Sequence, residues 1–134
     1  MAYSSSTATE LKAGYFDRLQ AILNGARYGP AEAYVLQVKK EDELQPLEDP
    51  RIKGVIKMKR CVDIIVFGTD VEAGQIAEDM YIRTGQPVGI AKYDKDSDST
   101  TPHRQAGLAR EIAQDEGKRT HLYDPSADSL DLLL

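Results

Sequence analysis

Residues 62–88 read VDIIVFGTDVEAGQIAEDMYIRTGQPV, and this stretch decides the predicted fold. The run VDIIVFG at 62–68 is almost continuously apolar, which is typical of a strand buried on both faces of a parallel sheet. We expect it to be the central strand. Helical periodicity follows over 70–84, and Gly85 suits the end of that helix. PVGIAKYD at 87–94 has the composition of another strand, so strand, helix and strand are predicted in direct succession.

The same alternation extends in both directions along the chain. Apolar spacing predicts helices over 7–25, 50–61 and 103–119, and strands over 31–38 and 120–125. AYSSS at 2–6 is either a very short first strand or a frayed end. The order β-α-β-α-β-α-β-α-β predicts one α/β domain over 1–124. We expect an open parallel sheet of about four to five strands, flanked by helices and joined by right-handed crossovers.

Ligands of open parallel sheets bind at the carboxyl ends of the strands. The loops after residues 5, 38, 68 and 94 are therefore the predicted positions for a site. The leucines of the C-terminal tail at 125–134 would be unfavourable in water. We expect this tail to pack on the domain or on a neighbouring subunit.

The overall composition narrows the class of protein. The chain has 134 residues, of which 41% are hydrophobic and 29% charged, as expected of one globular domain. Its formal net charge of −5 disfavours binding to extended nucleic acid. No apolar run approaches the length of a membrane span, and the N-terminus lacks the basic and apolar regions of a signal peptide. We therefore expect a cytoplasmic protein without a membrane partner.

Cysteine and histidine, which commonly bind transition metals, are scarce. Cys61 is the single cysteine and is predicted to be a packed thiol, while His103 and His121 are too few and too far apart in sequence to suggest a metal centre. The chain has neither GxGxxG nor a Walker lysine motif, so a dinucleotide or P-loop site is not supported. Neither a metal nor a cofactor is predicted.

The helix over 70–84 carries the residues of most chemical interest. Glu78 lies two turns into the helix and off its apolar stripe, and Gly74, one turn earlier, leaves room for a ligand. Glu78 is thus either a carboxylate nucleophile or a solvated surface group. Asp70 either complements the helix dipole at the first helical position or contacts a sugar or base. Ser4, Ser5 and Ser6 precede the first helix and could hold a phosphate or sugar, or simply cap the helix.

Taken together, these residues resemble the core pattern of the nucleoside 2-deoxyribosyltransferase-like superfamily, whose fold is related to that of TIR domains. The pattern has an apolar strand, an aspartate, a glycine and a glutamate on the next helix, and a glycine and Pro-Val before another strand. The matching residues are Asp70, Gly74, Gln75, Glu78, Gly85, Pro87 and Val88, with Gln75 in the place of a threonine. The resemblance covers roughly residues 2 to 94 and implies a flavodoxin-like or TIR-like sheet.

The resemblance also implies a function. Glu78 would be the nucleophile that attacks the anomeric carbon of a nucleoside or nucleotide, and Asp70 would position the sugar or exchange a proton with the base. The remaining implied substrate contacts come from Tyr3, Ser4, Ser5, Ser6, Gly74 and Gln75. The predicted function is that of an N-glycosidase or deoxyribosyltransferase with a small-molecule nucleoside or nucleotide as partner, in a homo-oligomer. The alternative is a non-catalytic binding or assembly module on the same fold, such as a TIR-like interaction domain or a viral or structural subunit.

Overall fold

The computed structural model describes residues 7–40 and 47–128, with side chains from residue 14 onward in the first range. Within these ranges a five-stranded mixed sheet is flanked by helices on both faces. The predicted strand at 2–6 and most of the predicted tail lie outside the described residues. The elements in chain order are α1 (Thr7–Arg27), β1 (Ala33–Lys39), β2 (Ile52–Lys57), β3 (Cys61–Phe67), α2 (Asp70–Thr84), β4 (Val88–Lys92), α3 (Thr100–Glu116) and β5 (Thr120–Leu122).

The strands are arranged in the order β2-β3-β1-β4-β5. The central strand β1 pairs antiparallel with both β3 and β4, β2 pairs antiparallel with β3, and β4 pairs parallel with β5. The prediction of an open parallel sheet is therefore wrong for the strands that the structure describes. The strand at 62–68 is an inner strand, but the centre of the sheet belongs to β1. A short hairpin joins β2 to β3, and such a connection permits only antiparallel pairing.

The predicted helix over 50–61 is wrong, because this segment forms a turn and then β2. Oδ1 of Asp49 accepts a hydrogen bond from the backbone N–H of Arg51 at 2.9 Å, and the Asp49 carbonyl accepts one from Ile52 at 3.0 Å. Asp49-Pro50 thus starts a turn, which is as common a use of this dipeptide as a helix start. The β-branched residues that follow, Ile52, Val55 and Ile56, favour the strand that pairs with β3.

The two faces of the sheet have separate apolar cores. Helix α2 covers one face through Ala73, Ile76, Ala77 and Met80, which confirms the predicted stripe, and packs on alternate residues such as Leu36, Ile64 and Ile90. Helices α1 and α3 cover the other face, where their side chains include Leu19, Leu23 and Ala106 and those of the strands include Val35, Ile65 and Ala91. The described residues therefore form three layers, helix, sheet and helix.

The connections through α2 and α3 differ in hand. Strands β3, β4 and β5 run in the same direction. They follow one another in that order across the sheet towards the β5 edge, with β1 between β3 and β4. Because α2 and α3 lie on opposite faces, one of the two crossovers is left-handed, contrary to the expectation for both. This arrangement leaves α3 free to pack beside α1 on the second face.

Local signals set the ends of α2 as predicted. Thr69 and Glu72 form a capping box, and Gly85 ends the helix in the left-handed conformation with φ of 68°. None of the helices in the described ranges is long and apolar enough to cross a membrane.

Candidate functional site

The residues predicted to form the site are spread along α2. Asp70 is exposed and accepts a hydrogen bond from the N–H of Val71 at 3.0 Å, and the exposed Gln75 accepts one from Arg51 at 3.2 Å. Glu78 lies eight residues after Asp70, or about 12 Å along the helix axis. The structure therefore does not bring the two carboxylates together. Tyr3, Ser4, Ser5 and Ser6 lie outside the described residues.

Glu78 nevertheless has an unusual environment. Its side chain is half-buried, and its buried Oε2 atom has no hydrogen-bond partner among the residues that the structure describes. Gly74, one turn earlier, has open space beside it, since a Cβ at this position would meet no atom within 4 Å. An unpaired buried carboxylate oxygen is costly, so this feature bears on function.

The end of the sheet at which β3 and β4 terminate is the one predicted to hold a ligand. The loops after residues 68 and 94 lie at this end of the sheet. The loop after residue 38 lies at the opposite end, because β1 runs in the reverse direction. A cleft of about 520 Å³ opens here, and its lining includes Glu32, Lys92, Asp94, Lys95 and Tyr123. Neither Asp70 nor Glu78 lines it.

A buried polar cluster lies on the face covered by α1 and α3. Its centre is Asp63 on β3, which is wholly buried. Oδ2 of Asp63 lies 2.6 Å from Nδ1 of His103 on α3, and Oδ1 accepts a hydrogen bond of 3.0 Å from Gln37 on β1. Cys61 and Arg110 complete the group, which we call the Asp63 cluster. Burying a carboxylate is costly, and these partners offset part of that cost.

The sequence builds the cluster through strand alternation and close helix packing. Cys61 and Asp63 are two residues apart on β3, so their side chains point to the same face. Asp63, Gln37 and Gly89 are neighbours across β3, β1 and β4. Helix α3 passes over this row closely, since a Cβ on Gly89 would collide with the backbone of Ala106 and Arg110. Gly89 thus allows α3 to approach the sheet and bring His103 to Asp63.

Gln37 connects the members of the cluster. It is 3% exposed, and its side-chain N–H groups donate to Asp63 and, over 3.2 Å, to the backbone carbonyl of His103. Its Oε1 accepts a hydrogen bond from Nε of Arg110 at 3.3 Å. The absence of a side chain at Gly107 makes room for this oxygen, because a Cβ there would lie 3.0 Å from it. Gln37 therefore fixes Asp63, His103 and Arg110 relative to one another.

The bond to Asp63 determines the state of the His103 ring. An ionised carboxylate only accepts hydrogen bonds, so Nδ1 of His103 carries the hydrogen in the contact with Asp63, and a neutral ring in this tautomer has a lone pair on Nε2. The His103 side chain remains 19% exposed, and Phe16 contacts the ring edge to face at 5.2 Å between centroids. A carboxylate that orients an imidazole in this way is the arrangement of a general base.

Cys61 is the third reactive group of the cluster. Burial raises the pKa of its thiol to about 11. The negative charge of Asp63 acts in the same direction, whereas the positive charge of Arg110 opposes it. The thiol is thus protonated at neutral pH, and Cys61 is not an activated nucleophile. Its Sγ, a carboxylate oxygen of Asp63 and a ring nitrogen of His103 all lie within 4.8 Å of one another.

The prediction that His103 and His121 are too few and too far apart to suggest a metal centre does not anticipate that His103 lies beside Cys61 and Asp63. The sequence does contain a signal for Cys61 and Asp63, because Asp63 is a charged residue inside the apolar run VDIIVF and Cys61 lies two residues before it. The position of His103 depends on the contact between α3 and β3. This contact joins residues 40 positions apart and has no local signature in the sequence.

No known protein-family model matches the chain, and a search of curated proteins finds no significant match. Functional assignment therefore depends on the geometry of the chain itself.

Proposed function

We propose that the chain is a hydrolase that acts on a small, negatively charged substrate, with His103 as general base. The main support is the 2.6 Å contact between the wholly buried Asp63 and a histidine that remains partly exposed. A purely structural link between α3 and β3 would be made at lower cost by apolar side chains of similar volume. The buried charge is therefore better explained by chemistry than by packing.

In the proposed reaction His103 activates a water molecule. Nε2 takes a hydrogen from the water as its oxygen bonds to the electrophilic atom of the substrate, and the same hydrogen then passes to the leaving group. Asp63 keeps the ring in position and stabilises the imidazolium that forms between these steps. Both proton transfers use one ring nitrogen, so no second acid is needed.

Arg110 supports a negatively charged substrate. Its Nε is bonded to Gln37, and its charge lies close enough to act on the pKa of Cys61. In the described ranges it forms no ion pair with a carboxylate. A guanidinium in this position would bind an anionic group of the substrate and stabilise charge that develops during the reaction. Nucleotides belong to the predicted partner class and carry such groups.

The second candidate is the predicted nucleoside or nucleotide N-glycosidase or deoxyribosyltransferase with Glu78 as nucleophile. The unpaired, buried Oε2 of Glu78 beside the open space at Gly74 supports it. It ranks below the first candidate because Asp70, its implied partner, lies about 12 Å away along the axis of α2, towards the N-terminus of the helix.

One substrate panel tests both candidates. The protein would be incubated with phosphate esters, nucleotides and nucleosides, and the released phosphate and free base would be measured by chromatography. We expect His103→Gln to lower kcat about 10²- to 10⁴-fold, the usual contribution of a general base. The matched control is His121→Gln, because His121 is also a half-buried histidine bonded to an aspartate, with Nε2 2.7 Å from Asp128.

The outcomes separate the candidates. Turnover that depends on His103 and is indifferent to His121 would support the first. Release of base that is lost in Glu78→Gln and retained in His103→Gln would favour the second. No turnover of any substrate, or equal loss in both histidine variants, would contradict the hydrolase proposal.

A further inference from the structure

The Asp63 cluster holds three different metal-binding groups in one place. A thiol, a carboxylate and an imidazole from Cys61, Asp63 and His103 have donor atoms within 4.8 Å of one another. Two of these residues lie on one strand, and the third lies on a helix packed tightly against it. Thiolate and imidazole together favour zinc and similar late first-row ions over magnesium or calcium, which prefer oxygen ligands only.

The spacing is close to that of a bound ion. Donors on one tetrahedral zinc ion lie roughly 3.3–3.7 Å apart, given zinc–ligand distances of about 2.0–2.3 Å. All donor atoms of the cluster lie within 4.8 Å of one another, so their separations exceed this range by no more than about 1–1.5 Å. Gln37 would continue to donate to Oδ1 of Asp63 and so hold the carboxylate in place, as the outer hydrogen-bond partners of metal ligands do.

We propose that Cys61, Asp63 and His103 form a binding site for a zinc-type ion and that the bound ion switches off hydrolysis. The inhibitory part rests on the proposed function, whereas the metal site itself does not. With three protein ligands, the fourth position of the ion is open to water or another small ligand.

Inhibition follows from the two nitrogens of the His103 ring. If the ion binds Nε2, it occupies the lone pair that the general base needs. If the ion binds Nδ1, the neutral ring carries its hydrogen on Nε2, and again no lone pair is free. In either case the Cys61 thiol loses its hydrogen to solvent when sulfur binds the ion. Metal binding and general-base catalysis by His103 therefore exclude each other.

Cobalt provides a direct readout of the metal site. Titration of the full chain with Co²⁺ should produce a thiolate-to-cobalt charge-transfer band, because sulfur is one of the ligands. Cys61→Ser should abolish the band, and Gln37→Met should weaken cobalt affinity by about 10- to 100-fold through loss of the outer hydrogen bond. His121→Gln, which changes a histidine outside the cluster, should leave both the band and the affinity unchanged. Circular dichroism would confirm that each variant is folded.

Hydrolysis measured with and without Zn²⁺ tests the inhibition. We expect Zn²⁺ to abolish turnover and a chelator to restore it, with Cys61→Ser requiring at least about tenfold more Zn²⁺ for the same effect. Absence of the cobalt band in the folded wild type would overturn the metal site while leaving the hydrolase intact. Turnover that rises with Zn²⁺ would overturn the inhibition. A cobalt band that depends on Cys61, in a protein that hydrolyses nothing, would support the metal site and remove the hydrolase.

Discussion

At the scale of single residues, the Asp63 cluster depends on a position that has no side chain. Gly89 lies in the row of residues over which α3 passes, and a Cβ there would collide with backbone atoms of Ala106 and Arg110. Backbone atoms cannot rotate away as a flexible side chain can. The helix would therefore have to move, and His103 would move with it. A glycine that bears no reacting group thus controls their separation.

We expect Gly89→Ala to lower the free energy of unfolding by about 1–3 kcal/mol, as overpacking usually does. The matched control is Gly74→Ala, where the added methyl meets no atom within 4 Å. Because alanine is the better helix former, this change should be neutral or stabilise by about 0.5–1 kcal/mol. Urea unfolding of both variants measures the difference. Equal effects would show that α3 does not pack against Gly89 in this way.

At the scale of elements, local signals account for what the sequence predicts correctly. Helix α2 has a capping box at its start, an apolar stripe along its length and a left-handed glycine after its end, so its limits follow from adjacent residues. In the segment at 50–61, local signals and the observed structure disagree. Ile52, Val55 and Ile56 fit helical spacing, yet pairing with β3 makes the segment a strand with a register irregularity between Ile52 and Gly54. A long-range contact decides that element.

The turn before β2 should make stability depend on pH. Hydrogen bonds from Arg51 lower the pKa of Asp49 from its ordinary value of 3.8 to about 2. A lowered pKa means that the ionised carboxylate stabilises the folded state above about pH 4, and that this contribution is lost as the pH falls towards 2. We therefore expect Asp49→Asn to be less stable than the wild type at neutral pH and equally stable near pH 2.

Urea unfolding at several pH values measures this effect. Arg51→Gln is the companion variant, because it removes the guanidinium that bonds the Asp49 carboxylate at 2.7 Å and should also flatten the pH dependence. Parallel stability curves for the wild type and Asp49→Asn between pH 4 and 2 would contradict the proposed role of the turn.

At the scale of the whole molecule, strand order and direction are what the sequence does not reveal. The predicted alternation of strands and helices is correct in giving an α/β sheet flanked by helices, but it is wrong at 50–61, where a strand replaces the predicted helix. The predicted pattern is compatible with a parallel or a mixed sheet, because β1 carries no local mark of its direction. The Asp63 cluster is hidden for the same reason. Its members come from β1, β3 and α3. The pairing of β1 with β3 places Gln37 beside Asp63, and α3 brings His103 to both.

We propose that the Asp63 cluster serves chemistry at a cost to the fold. Buried charged groups of this kind are often replaced by apolar residues without loss of stability, whereas removal of one partner is strongly destabilising. If the cluster served only to link α3 to the sheet, its replacement by apolar residues would increase the stability of the protein at no cost to function. If the cluster serves function, the same replacement would abolish activity while the protein retains its stability.

The most direct measurement is the free energy of unfolding of the triple variant Gln37→Leu, Asp63→Val, His103→Leu, obtained by urea titration beside the wild type. We predict a value within about 1 kcal/mol of the wild type or up to about 4 kcal/mol above it, as reported for apolar replacement of buried ionic groups in general. A loss of about 3 kcal/mol or more would show that the cluster holds the fold together and would contradict the account.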